Sequence, residues 1–181
     1  LFKSPYVLKQ IIEAYEPGIG LINPIICNPD GQIDQRVSYK KKLLYLRMLK
    51  KFLEWYFEKT ISFSKSSHND SKVEYVKEIT GTQTDRYIVA GSGFMLTGDF
   101  FAEYRGLYPG TFLYYEEWAT IILLHKASLK TKVAETDPII HIGGASTPKN
   151  VRTMTKERRK ICFNSWKAIF LLAIGHQNKK R

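Results

Sequence analysis

Two stretches of this chain hold almost all of its positive charge, and that division constrains its fold more than any other feature. Residues 38–60 (SYKKKLLYLRMLKKFLEWYFEKT) carry seven basic and two acidic side chains, and residues 149–181 carry ten and one. Together they sum to +14, while the other 125 residues sum to −3. Such a chain is a nearly neutral body with two basic segments attached. At 181 residues, 44% apolar and 25% charged, it can pack one domain around a core of its own. Its two cysteines, Cys27 and Cys162, stand far apart in no C-x-x-C spacing. That excludes a disulfide framework and a cysteine-rich zinc module, and fits a reducing compartment. The longest apolar run, Ala168 to Ile174, has seven residues, against the ~18 needed to span a bilayer. No signal-like segment opens the sequence, which starts at Leu1 and so reads as a fragment of a longer protein.

Both basic segments read as helices. In the first, Tyr45, Leu49, Phe52, Leu53 and Tyr56 recur at helical spacing, with Lys41, Lys50, Lys51 and Glu58 outside that stripe. In the second, Lys156 to Lys160 leads into ICFNSWKAIFLLAIG. Two readings stand. One is a solvated charged face above ordinary core contacts. The other is attachment to an anionic membrane surface, to which each nearby basic residue contributes ~1 kcal/mol. No zinc-finger spacing, RNP-like aromatic motif or helix-turn-helix is present, so no nucleic-acid partner is expected.

The body alternates short apolar runs with helical stripes, the pattern of an α/β fold. A helix is expected over 4–15, with Leu8, Ile11, Ile12 and Tyr15 on one side, stopped by Glu16-Pro17-Gly18. Ile19 to Cys27 is an apolar run containing Pro24, closed by the turn Asn28-Pro29-Asp30-Gly31. Residues 61–72 are polar and Ser-rich, a loop composition. Tyr87 to Ala90 reads as a buried strand and Asp99 to Tyr104 as a helical turn. Thr111 to Tyr115 reads as extended chain. Glu116-Glu117 then opens a helix whose stripe is Trp118, Ile121, Ile122, His125 and Leu129. Strands are expected near Lys132 to Ala134 and at Pro138 to Ile142, ahead of Gly143-Gly144-Ala145-Ser146.

Three features between residues 90 and 146 can carry chemistry. Gly91-Ser92-Gly93 follows a strand directly; glycine lets backbone N–H groups approach a ligand, and the same residues also suit a plain tight turn. Glu116-Glu117 suits the positive end of a helix dipole as a first-turn acidic pair, and equally suits a general base that takes a hydroxyl proton. His141, after an apolar strand and before two glycines, is either a structural imidazole or a metal or phosphate contact.

In this order, G-S-G-F-M-L, F-L-Y-Y-E-E and P-I-I-H-I-G-G-A-S resemble the C-terminal half of a family 2 glycosyltransferase with the GT-A fold. The members most similar are the rhamnosyl- and galactosyltransferase-like enzymes of bacterial polysaccharide clusters. INPIICNPDGQID resembles the family's P-x-I…D-G-x-I segment between its two halves. The resemblance covers roughly residues 5–150 and is specific over 88–147. It implies the C-terminal portion of a GT-A (Rossmann-like, mixed-sheet) domain: residues 1–148 form its acceptor side, with a basic helical insert at about 38–60, and 149–181 form a basic amphipathic tail.

The implied activity is transfer of a sugar from a nucleoside-diphosphate sugar to an acceptor hydroxyl with inversion. Glu117 corresponds to the catalytic base and Glu116 to its partner in the acidic pair. Gly91, Ser92 and Gly93 correspond to the substrate-lining glycine loop, Tyr115 and Trp118 are expected to bind substrate with them, and His141 corresponds to the histidine that helps hold the metal or diphosphate. Mg²⁺ or Mn²⁺ is the implied cofactor. A saccharide or lipid-linked saccharide is the implied acceptor, on the cytoplasmic side and peripheral at the inner membrane face.

Departures from the family pattern are also plain. Glu117 replaces the usual Asp, lengthening the reach by one C–C bond, ~1.5 Å. Ala119 stands where a further Asp is common, and the Q-x-x-R-W motif of processive synthases is absent, which favours transfer of single sugars. The nucleotide-binding half with its D-x-D motif is expected about a hundred residues upstream of Leu1; Asn28-Pro29-Asp30 resembles that motif only superficially and reads as a turn. The rival from another class is a non-catalytic basic α/β module that docks to a membrane or a partner chain. A nucleotidyltransferase shares the fold type but lacks its basic glycine-rich motif here.

Overall fold

Pro24 divides the apolar run 19–27 into two strands that join different sheets. In the computed structural model, residues 4–33, 37–41, 44–60, 74–75, 80–82, 84–111, 115–142 and 156–175 are described. In chain order the elements are α1 (Val7–Glu13), β1 (Ile19–Asn23), β2 (Ile26–Cys27), β3 (Val37–Lys40), α2 (Leu44–Thr60), β4 (Glu74–Tyr75), β5 (Gly81–Thr82), β6 (Arg86–Val89), β7 (Met95–Leu96), α3 (Gly98–Glu103), α4 (Glu116–Lys126), β8 (Lys130–Val133), β9 (Ile139–Ile140) and α5 (Lys156–Ile174). The fold is mixed α/β, and its largest sheet is mixed, in the order β5-β8-β1-β7. Within that sheet β1 runs parallel to β8 and antiparallel to β7.

Every residue of β1 is buried, which is why its sequence is a continuous apolar run rather than an alternating one. Proline has no N–H to donate to a ladder, and the break falls there. Past it, the Ile25 N–H donates to Thr136 Oγ1 at 3.0 Å and the Ile139 N–H to the Ile25 carbonyl at 2.9 Å. The two segments then resume as the parallel pair β2–β9. Asn28 to Gly31 closes β2 as expected: the Gly31 N–H donates to the Asn28 carbonyl at 3.0 Å, and Gly31 has φ 81°. Asp30 is exposed in this turn.

A third sheet, β4-β3-β6, is antiparallel. It corrects the expectation of a helix from residue 38. Ser38 and Tyr39 are buried strand residues opposite Ile88 and Tyr87, and the helix begins at Leu44. Pairing with β6 outweighs the local helical propensity of a Lys- and Leu-rich stretch. The inward face of α2 also differs from the sequence expectation. Leu44 and Met48 are buried, whereas Tyr45, Leu49 and Leu53 are exposed. On α1, likewise, Val7 and Ile11 face the core, while Leu8 and Ile12, and Tyr15 beyond the helix end, are exposed.

Both basic segments contribute to one core. It joins Leu21 of β1, Tyr39 of β3, Leu44 and Met48 of α2, Tyr87 and Val89 of β6, Phe100 of α3, Ile121 to Leu124 of α4, and Trp166, Ile169 and Leu172 of α5. Helix α5 lies beside α2 through stacked Phe52 and Phe170 rings, 4.6 Å apart. Among the described residues, no helix is long and apolar enough to cross a membrane. The loop expected over 61–72 and the Gly143–Ser146 turn lie outside the described residues.

One buried polar side chain ties the strands together. Asn23 has no exposed surface. Its Nδ2 donates to the Ile88 carbonyl at 2.8 Å and to that of Lys132 at 3.3 Å, and its Oδ1 accepts from the Ala90 N–H at 2.9 Å. Asn23→Ala leaves those backbone groups of β6 and β8 without this partner. An unsatisfied buried polar group costs about 1–3 kcal/mol, so denaturant titration should show a loss of at least that size. A loss below about 0.5 kcal/mol would mean that these groups find other partners.

Candidate functional site

The site begins where β6 ends. The Ala90 N–H, fixed by Asn23, brings the chain out of the sheet, and the Gly93 N–H closes a tight turn on the Ala90 carbonyl at 3.1 Å. Gly91 and Ser92 are exposed at this turn, and Gly93 is half-buried. The turn residues lie against two other elements. A Cβ at Gly91 would overlap Oε1 of Glu117 and stand 3.1 Å from its Cδ. A Cβ at Gly93 would stand 3.3 Å from Cδ1 of Ile26 on β2. The Glu117 carboxyl therefore occupies the volume that a side chain at 91 would fill.

Glu117 reaches this position through a sharp entry into α4. Tyr115, the residue before the helix, is left-handed with φ 71° and ψ 22°. For a residue with a Cβ that conformation costs roughly 1–2 kcal/mol, and such strain concentrates at functional sites. The Tyr115 carbonyl accepts from the N–H groups of Trp118 at 3.1 Å and Ala119 at 3.3 Å. Glu116 and Glu117 thus occupy the first helical turn, both half-buried.

Burial is the main influence on the Glu117 carboxyl and pushes its pKa above the ordinary carboxylate range; its own backbone N–H opposes this and the Glu116 carboxylate adds to it. No cation among the described residues forms a salt bridge with it. A carboxyl raised by desolvation beside an exposed glycine turn has the properties required of a general base or acid.

The other expected site residues divide into two groups. Tyr115 is half-buried, its ring 4.8 Å from Trp166 of α5. Trp118 is buried between Tyr39, at 4.4 Å, and Trp166, at 5.2 Å. Trp118 therefore packs beneath the site rather than lining it. His141 is exposed, and its N–H donates to the Cys27 carbonyl at 2.8 Å, which extends the β2–β9 pair. The glycine turn accordingly meets the Glu117 carboxyl at one end and β2 at the other, and His141 continues the strand beside β2.

Among the described residues no three His, Cys, Asp or Glu side chains converge on a metal position. The residues missed in the sequence are Asn23, which anchors the turn, and Trp166, which supports Tyr115 and Trp118 from the basic tail.

Two further features lie away from Glu117. At the other end of α4, the Tyr87 hydroxyl meets His125 Nδ1 at 3.1 Å; burial pushes Tyr87 up to about 12, while burial and then the Lys41 cation lower His125. A cleft of about 350 Å³ lies between α1, β5 and β8, lined by Gln10, Glu13, Lys132 and Glu135 among others. Its Lys132 is engaged with Glu16 at 2.5 Å. The chemistry favours the Gly91–Glu117 site, because among the described residues only there does a carboxyl raised in pKa meet an exposed glycine turn. Comparison with protein-family models, with curated proteins and with solved structures returns no match.

Proposed function

We propose that this chain is the acceptor-side part of an inverting glycosyltransferase of the GT-A type, with Glu117 as its general base. The observation that carries the reading is the position of the Glu117 carboxyl: half-buried, raised in pKa, and in the space beside Gly91 that a side chain there would fill. In the reaction, an acceptor hydroxyl over the Gly91–Gly93 turn gives its proton to Glu117 while its oxygen attacks the anomeric carbon of the donor sugar. The bond from that carbon to the diphosphate oxygen breaks, the configuration inverts, and a nucleoside diphosphate leaves. When bound, Mg²⁺ or Mn²⁺ neutralises charge on the diphosphate; His141 would contribute one ligand, and the rest belong to the half proposed upstream. The acceptor in this reading is a saccharide, free or lipid-linked, at the cytoplasmic face of a membrane.

Reading the coding sequence upstream of Leu1 tests the proposal first: a strand-rich segment of about a hundred residues ending in D-x-D is expected. Its absence would leave the non-catalytic binding module as the better account. Gly91→Ala provides a second test. The added methyl displaces only the end of a flexible side chain, so the melting temperature should move little. Turnover, assayed with the chain joined to its donor-binding half, should fall at least about tenfold, because the base is moved off its proton. Combined with Glu117→Gln, the loss should be far from additive, as for two groups acting as a unit. Full additivity would separate the glycine from the carboxylate and remove the main support for the site.

A further inference from the structure

The exposed row of α2 is unusual for a helix that also contributes to the core. At 100° per residue, Tyr45, Leu49, Leu53 and Leu46 follow one another around about 100° of its solvent side, with Lys50 next on the same arc. Their exposures are 39%, 40%, 41% and 65%. The fully buried side of the helix is made by Leu44 and Met48, which leaves Leu46, Leu49 and Leu53 with exposed apolar surface. Beside it, α5 is attached through Phe52 and Phe170 and exposes Lys160 and Lys167. The segment containing α2 carries a charge of +5 and the one containing α5 carries +9. An apolar row on a chain of net charge +11, with Lys50 exposed on the same helix and Lys160 and Lys167 exposed on α5, matches an anionic bilayer, where leucines enter the acyl boundary and lysines reach the headgroups. Two copies of the chain meeting through this face would instead bring like charges together.

We infer that α2 is a membrane-docking helix, and that Leu46, Leu49 and Leu53 enter an anionic lipid surface while Lys50 and the neighbouring basic residues meet its headgroups. The inference shares a membrane location with the proposed function but requires no sugar transfer, so it stands or fails separately. It also gives the basic segments distinct tasks: charge attracts the protein to the surface, and the leucine row holds it there.

Flotation of the 181-residue chain with phosphatidylcholine vesicles, with and without phosphatidylglycerol and with no sugar donor present, tests it. Binding is expected only to the anionic vesicles and should weaken with salt. The triple change Leu46→Ser, Leu49→Ser, Leu53→Ser should lower partitioning at least about tenfold at unchanged melting temperature. Lys50→Glu should lower it about fivefold or more. An environment-sensitive dye at Leu49→Cys should shift to the blue on anionic vesicles and not on neutral ones. Failure of the wild-type chain to float with anionic lipid would overturn the inference, as would a triple variant that binds equally well. Light scattering that shows a lipid-free dimer abolished by the triple change would assign the face to a second copy instead.

Discussion

Glu117→Gln should lower sugar transfer by ~10²–10⁴-fold, the usual worth of a general base, and at the same time raise the stability of the chain at neutral pH. The two effects have one cause. Burial disfavours the ionised carboxyl and moves its pKa above the ordinary range. The helix N-terminus favours the anion, but the net direction is upward, so burial is the stronger influence. With the folded pKa above the unfolded one, the neutral acid suits the folded state. Stability from this group is fully present below the unfolded pKa and is lost as pH rises through the folded value. At neutral pH, above the unfolded pKa, keeping this carboxyl half-buried therefore costs stability, and the amide relieves it. Thermal melts at several pH values provide the check. The variant should melt above wild type near pH 7, and the difference should vanish near pH 4. In the transfer assay, the rise of turnover with pH through the raised pKa should disappear in the variant, since no carboxylate remains to ionise. A purely structural acidic pair gives the opposite stability result: with Glu117 serving the helix dipole alone, Gln lowers the neutral-pH melting temperature and leaves turnover unchanged.

The parts of this site differ in how far they can be read from the sequence. The glycine turn and acidic pair are local patterns, with Gly91-Ser92-Gly93 after an apolar strand and two glutamates before a helical stripe. Both elements are present, as β6 (Arg86–Val89) and α4. Their apposition is not local, because 26 positions separate Gly91 from Glu117 and no pattern in either segment encodes it. Asn23 is less legible still. Its partners are 65, 67 and 109 positions away, and within an apolar run a lone Asn resembles an interruption more than an anchor. The phase of α2 was ambiguous for a different reason. Leu44 and Met48 form one stripe and Tyr45, Leu49 and Leu53 another, about 100° apart, so periodicity alone does not choose the inward one. Packing beside α5 and into the shared core chooses it.

Trp166→Ala should destabilise the chain by about 3–5 kcal/mol, the range for truncating a large buried aromatic side chain. Trp166 is 1% exposed, with Tyr115 and Trp118 both against its ring. Removing it opens a cavity between α5 and the start of α4, where the left-handed Tyr115 and the first-turn glutamates are positioned. Glu117 should lose its place against Gly91 along with the packing. Trp166→Phe separates volume from chemistry. The indole Nε1 is buried without a hydrogen-bond partner among the described residues, and an unsatisfied buried donor costs about 1–3 kcal/mol. Phenylalanine gives up some volume but removes that donor, so its net cost should stay below about 1.5 kcal/mol. Urea titration of the three proteins, with near-ultraviolet circular dichroism to follow the aromatic cluster, gives the comparison. An alanine variant within about 1 kcal/mol of wild type would mean that the basic C-terminal helix is not docked in solution. The support beneath Tyr115 and Trp118 would then have to come from elsewhere.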